Sequence, residues 1–411
     1  MTRKLVNFAI RGVILSTAVL PVFGQQNAAD LFKEGKFAEA EAALGSKPST
    51  FEELRLKGQI ALFSNRLKDA LRYLQMAAKL NPEDKPVKTL IGQAYYRMND
   101  FKNAAMHYRA AERDAIAKKL EYLAGKEPYR ITGKGDETTV PFVKLDPLPV
   151  VKARVDGREL AFLIDTGGPE LIIDTAVANE LGLQLFGEES GTFAGGQRSG
   201  VNHAVVDSVG LGEFRIDSVP VNVLPTQRYA SVLGVPRIDG ILGTVLLSRF
   251  LTTLDYPGNK LVLRKRSRPQ PSAEKDVLEA PFWMAGDHYI VAWGAFNGNA
   301  ELFFVDTGLA GMGFAAPDST IKKPGISIGG KPFEGSGGGG TVKAQPFVAD
   351  SLSLGPVKAE KIVGVAGVFP PSLENSMGFR IGGLLSHTFF KPYAVTFDFD
   401  RMKIVFRRPP K

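Results

Sequence analysis

One pattern of residues occurs twice in the C-terminal two thirds of this 411-residue chain, and that duplication constrains the fold more than any other feature. Residues 154–167 read RVDGRELAFLIDTG and residues 295–308 read AFNGNAELFFVDTG. Each reads as a strand, a two-residue turn, and a strand ending in Asp-Thr-Gly. Asp156-Gly157 and Asn297-Gly298 are favoured type I′ hairpin dipeptides, because that turn needs positive φ at both central residues. The match continues downstream. Val206-Asp207-Ser208 parallels Ala349-Asp350-Ser351, with the second aspartate 42 and 44 residues beyond that of the triplet. Ile241-Leu242-Gly243 parallels Arg380-Ile381-Gly382, the glycine 78 and 76 residues beyond. Leu254-Asp255-Tyr256 and Phe397-Asp398-Phe399 lead into the closing strands. Landmarks in register over such a span predict a duplicated all-β region covering 137–411.

The chemistry open to such a pair is restricted by what the chain lacks. It has no Cys, which excludes thiolate metal sites, iron–sulfur clusters, disulfides and Cys nucleophiles. Its His residues, at 107, 203, 288 and 387, are too scattered for a motif such as H-E-x-x-H. Two carboxyl groups need neither. Amide hydrolysis requires an activated water and a proton donor. Carboxyls about 3 Å apart cannot both ionise, so one serves as base and the other keeps a proton. A duplicated fold with a pseudo-twofold axis supplies one Asp from each half. Asp165 and Asp306 are therefore the candidate catalytic residues, and neither a metal nor another cofactor is expected.

With these residues in view, each half resembles a retropepsin-type aspartic protease lobe. The whole resembles the fused, pepsin-like arrangement of two lobes in one chain. The resemblance covers 137–411 and implies a bilobal all-β fold of two retropepsin-like barrels, lobe 1 over 137–268 and lobe 2 over 269–411. It implies that Thr166 and Thr307 join the two catalytic loops by hydrogen bonds to the opposite backbone. Gly167 and Gly308 would let those loops turn and approach closely, since Gly lacks Cβ. Gly243 and Gly382 would sit where an apolar segment passes behind the active-site loop. The glycine-rich runs 191–200 and 335–341 fall where the family has flaps, hairpins that open for substrate and then exclude water. Gly195, Gly196, Gly337 and Gly338 are the flap candidates, and plain surface loops are the other reading. The substrate implied is a peptide or protein. The family commonly has Ala, Ser or Thr after the triplet; here Gly168 and Leu309 stand there. That departure keeps open a second reading, a catalytically inactive peptide-binding scaffold.

Upstream, residues 27–125 have helical periodicity. Gly58/Gly92, Ala70/Ala104 and Ala77/Ala111 are pairs 34 residues apart. A 34-residue period with small residues where helices touch is the tetratricopeptide signature, so this region resembles two to three such repeats. A stack of this kind offers a groove for a substrate or protein partner; a helical cap packed on the next domain is the alternative. Residues 126–136 read as a linker. Residues 1–24 combine Arg3, Lys4 and Arg11 with an apolar run ending at Gly24, the pattern of an export signal. The protein is thus expected to be periplasmic or secreted, with no stable membrane span after signal cleavage. An uncleaved anchor is the alternative. Loss of those three cations takes the formal charge from +8 to +5. The basic run Lys260, Arg264, Lys265, Arg266, Arg268 reads as a solvated interlobe linker. No aromatic interleaving accompanies it, so nucleic-acid binding is not expected.

Overall fold

The computed structural model describes residues 27–266, 277–322, 326–337, 339–370 and 372–408. The expected export signal, Gly338, Arg268, Pro269 and Pro271 lie outside the described residues.

The N-terminal part is helical: α1 (Ala28–Lys33), α2 (Phe37–Ala43), α3 (Phe51–Phe63), α4 (Leu67–Leu80), α5 (Lys85–Arg97), α6 (Phe101–Ala110) and α7 (Asp114–Leu123). Thr50 and Glu53 form a capping box at the start of α3, and the Asp84 carboxylate caps α5. The paired glycines have a packing reason. A Cβ on Gly58 would lie 2.6 Å from Leu74 Cγ of α4, and one on Gly92 would lie 3.2 Å from the Tyr108 ring of α6. The α3/α4 and α5/α6 contacts thus repeat at the same period. Asn65 and Asn99, also 34 apart, end α3 and α5 in the left-handed conformation, with φ of 57° and 61°.

The stretch 126–136 differs from its reading as a linker. It carries the strand Arg130–Gly133, antiparallel to Phe214–Val223. Gly133, at φ 118°, brings the backbone so near the Glu213 carbonyl that a Cβ would be 2.1 Å from it. The basic run differs as well. Lys260–Lys265 is a strand, and Arg264 and Arg266 pair with Glu137 and Asp400. Alternating Leu261 and Leu263 bury its other face, which is why it is sheet rather than free connector.

In the β region, both expected hairpin turns form. Asp156 and Gly157 have φ of 48° and 85°, Asn297 and Gly298 of 46° and 82°. Asp156 Oδ1 accepts the Ser208 N–H at 2.7 Å, and Asn297 Oδ1 accepts the Ser351 N–H at 2.9 Å. The downstream Asp-Ser landmark is therefore the docking point of each turn. Strand Arg158–Ile164 runs parallel to Gly240–Leu242, and Asn299–Val305 parallel to Gly383–Leu385. Those short strands pair antiparallel with Leu171–Ile173 and Phe314–Ala316.

This register corrects one sequence landmark. Gly240 stands opposite Phe162 and Gly383 opposite Phe303, so Ser386, not Gly382, occupies the place of Gly243. Gly382 lies one residue before the strand, its N–H donating to Leu302 O at 2.7 Å. Two adjacent glycines in Ile381-Gly382-Gly383-Leu384-Leu385 make either alignment plausible locally; hydrogen-bond register decides.

The two halves meet in a shared sheet. Phe250–Asp255 pairs with Ala394–Asp398, and the Thr253 and Thr396 hydroxyls lie opposite each other at 2.7 Å. Outward on either side follow Lys260–Lys265 and Lys403–Arg407, then Glu137–Lys144 and Leu278–Pro281. The order is symmetric about the threonine pair, which defines a local pseudo-twofold axis.

The helices pack on both halves. Phe37 meets Trp283 and Phe379 with ring centroids 5.4 and 5.0 Å away. Tyr96, Phe101 and Leu120 join the main core cluster, which runs through both halves. Arg97 of α5 donates to Leu62 O, Met284 O and Gly286 O at 2.6–2.8 Å. Among the described residues no helix is long and apolar enough to cross a membrane.

Candidate active site

Each Asp-Thr-Gly triplet begins where a buried strand ends. The Asp165 N–H donates to Leu242 O at 3.1 Å and the Asp306 N–H to Leu385 O at 2.9 Å. The short parallel strand thus holds the first residue of each loop by its backbone. Beyond that point the loops leave the sheet and turn toward each other.

Thr166 and Thr307 are 2% and 1% exposed. The Thr166 N–H donates to Thr307 Oγ1 and the Thr307 N–H to Thr166 Oγ1, both at 3.0 Å. Thr166 Oγ1 in turn donates to Val305 O at 2.9 Å. One hydroxyl satisfies a donor and an acceptor of the opposite loop, which requires Ser or Thr.

Above this clasp lie the carboxyls. A Cβ on Gly167 would sit 2.5–2.6 Å from the Asp306 carboxyl atoms, and one on Gly308 would sit 2.3–2.4 Å from those of Asp165. Each glycine is the floor beneath the opposite carboxyl. The Gly167 N–H donates to Asp165 Oδ1 at 2.7 Å and the Gly308 N–H to Asp306 Oδ1 at 2.8 Å. The two carboxyls are near enough to shift each other's protonation.

Burial raises the pKa of Asp165, while hydrogen bonds from Asp306 and the Gly167 N–H, and the nearby His288, pull it back. Burial raises Asp306 well above the ordinary carboxylate range, and the Asp165 charge raises it further. Both shifts are upward and the groups are coupled, so the pair titrates as a unit and holds one proton between them.

Gly195 and Gly196 form the tip of the hairpin Glu188–Thr192/Arg198–Leu211, with φ of 68° and 75°. Gly337 closes the hairpin Phe333–Gly337/Gly340–Leu354, opposite Gly340. The tips meet: a Cβ on Gly337 would be 3.0 Å from Ala194 Cβ, and the Gly195 N–H donates to Val368 O at 2.8 Å. Gly168 has room for a small side chain, its nearest neighbour being Asp165 O at 3.4 Å. Leu309 packs against the apolar cluster of Phe304 and Leu384, and its N–H donates to Ser386 Oγ at 3.0 Å.

Sequence reasoning missed the support behind the first loop. Thr244 Oγ1 donates to Thr166 O at 2.7 Å, and its N–H donates to Gly168 O at 2.9 Å. Glu170 is buried against Lys119 and Tyr96 of the helices. An acidic residue inside the apolar run Pro169-Glu170-Leu171-Ile172-Ile173 was the available signal. Among the described residues no group of three or more His, Asp or Glu side chains could hold a metal ion.

Residues 151–246 match the family model of aspartyl proteases. The match spans the first triplet, the first glycine-rich hairpin and the Gly240–Leu242 strand. This segment is therefore similar to aspartyl proteases, supporting a peptidase hydrolase. The crystal structure of a retropepsin-like aspartic protease from Rickettsia conorii is also similar, at 18% identity and a TM-score of 0.24, covering 34% of this chain and 96% of that one. No protein of curated function matches the chain.

Proposed function

We propose that this protein is an aspartic endopeptidase that hydrolyses peptide bonds with water activated between Asp165 and Asp306. The observation that carries the reading is the reciprocal threonine clasp, which sets the Asp165 and Asp306 carboxyls each over the glycine of the opposite loop. In the resting pair Asp165 is the carboxylate and Asp306 the acid. A water between them gives a proton to Asp165 as its oxygen attacks the scissile carbonyl carbon. Asp306 gives its proton to the carbonyl oxygen, forming a neutral gem-diol. Asp306, now a carboxylate, takes a gem-diol proton back as the C–N bond breaks, and the proton on Asp165 passes to the departing amine nitrogen. Products are a carboxylic acid and an amine, and the pair returns to one shared proton. The two glycine-rich hairpins serve as flaps, which part to admit a peptide and close to exclude water.

In this reading the chain is exported, and α3–α6 form two tetratricopeptide-like hairpins. A substrate or partner segment enters the cleft of about 1290 Å³ between the helices and the second half, lined by Arg55, Gln59, Gln93, Asp287, Tyr289 and Met377.

The test is hydrolysis of a defined peptide library in ¹⁸O-labelled water. The expected result is new termini, one ¹⁸O in each new carboxyl, and a bell-shaped pH dependence of kcat/KM. Absence of cleavage at every pH would leave the scaffold reading in its place.

A further inference from the structure

We infer that Glu170, buried in a pair with Lys119, is a positioning residue through which helices α5 and α7 set the loop that carries Asp165. The inference rests on the dyad reading above and extends it from the carboxyls to what holds one of them.

Glu170 follows Asp165 by five residues and is 6% exposed. Lys119, in α7, is 0% exposed and donates to Glu170 Oε2. The Tyr96 hydroxyl, from α5, donates to Glu170 Oε1. Tyr129 extends the cluster, its hydroxyl 3.1 Å from that of Tyr96 and its ring 4.0 Å beneath the Arg249 guanidinium. Arg249 reaches back to Asn99 Oδ1 at 2.6 Å, at the end of α5. Both carboxylate oxygens of Glu170 are thus held by helices distant in sequence.

The backbone between Asp165 and Glu170 is pinned from the other side. Gly168 O and Pro169 O accept the N–H groups of Thr244 and Val245 at 2.9 and 2.8 Å. Gly243 faces the Glu170 carbonyl so closely that a Cβ would be 2.2 Å away. Loop 165–170 is a short bridge with one end in the dyad and the other in the helical cluster.

The equivalent position of the second half carries no side chain that could make such a tie. Five residues beyond Asp306 stands Gly311, whose N–H donates to Pro147 O at 3.2 Å. The asymmetry assigns the Glu170 tie to one carboxyl of the pair, that of Asp165.

Stability alone does not account for this pair. Replacing a buried ion pair by apolar residues of similar volume is often neutral or stabilising. What two charges fixed at both oxygens add is one geometry. A dyad needs it, because a misplacement of about 1 Å can lower turnover about 100-fold.

The test uses the full chain carrying Lys119→Met and Glu170→Leu together, which removes both charges and leaves none unpaired. The expected variant unfolds at a urea midpoint close to wild type. Its kcat falls about 100-fold with KM nearly unchanged. Peptide-resolved hydrogen exchange rises about tenfold in 162–170 while α5–α7 keep their protection. Wild-type kcat and wild-type exchange in a folded double variant would overturn the inference. Tyr96→Phe, which removes one donor to Glu170, guards against a double variant that fails to fold. A several-fold loss of kcat with faster exchange in 162–170 is expected of it, and no change in either would again overturn the inference. Exchange decides the positioning role even if wild type cleaves nothing, whereas that lack of cleavage would defeat only the dyad reading.

Discussion

Replacing Thr166 by Val tests the clasp beneath the two carboxyls. The substitution keeps the side-chain shape and removes the hydroxyl. Two groups of the opposite loop then lose their partner, the Val305 carbonyl and the Thr307 N–H. Both belong to buried residues. An unsatisfied buried backbone group costs about 1–3 kcal/mol, so the pair of losses costs about 2–6 kcal/mol. Domain stabilities are about 5–15 kcal/mol, so the effect is a large share of the total. Thr166→Ser is the control: it keeps both hydrogen bonds and loses one methyl, at about 1 kcal/mol. Urea unfolding by fluorescence measures both variants, and peptide cleavage follows in parallel. Val should lower the midpoint well beyond Ser and abolish cleavage, while Ser keeps most of both. A Val variant as stable and as active as the Ser variant would refute the reasoning.

Three further outcomes follow from the same geometry. Gly308→Ala places a methyl 2.3–2.4 Å from the Asp165 carboxyl atoms; kcat should drop about 100-fold, with a circular dichroism spectrum like that of wild type. Asp306→Asn should be more stable than wild type at neutral pH. The folded pKa of Asp306 is raised by burial and then by Asp165, so its contribution is full below the unfolded value of about 4 and lost as pH rises through the folded value. Urea midpoints should therefore converge below about pH 4 and separate above it; parallel midpoints at all pH values would contradict the raised pKa. Asp156→Asn copies Asn297 of the other half and keeps the acceptor for the Ser208 N–H. Burial raises the Asp156 pKa, hydrogen bonds from Ser208 and Asp207 partly offsetting it. A small stabilisation at neutral pH, screened by solvent and absent in acid, is expected in the same assay.

What could be read from the sequence was what neighbouring residues determine. The type I′ turns at Asp156-Gly157 and Asn297-Gly298 are written in two residues each, and both form. The 34-residue spacing of Gly58 and Gly92 reflects a contact that recurs within each helical hairpin. Asn65 and Asn99 carried the same period and could have strengthened it. Register was harder, because Gly382 and Gly383 fit the same local pattern and only pairing with Phe303 distinguishes them. Leu309 departs from the small residue the family commonly has after the triplet, yet it packs into the cluster that contains Phe304 and Leu384. Least legible was Glu170. Its partners lie 51 and 74 residues upstream, and no local periodicity links a helix in the N-terminal region to a loop in the β region.

Peptide cleavage by the single variants Asp165→Asn and Asp306→Asn tests the central claim most directly. Each keeps the side-chain shape and removes one ionisable group, so each leaves the pair without either its base or its acid. Folded protein with cleavage reduced at least about 1000-fold in both variants is the result the dyad predicts. Cleavage near the wild-type rate in either one would contradict it.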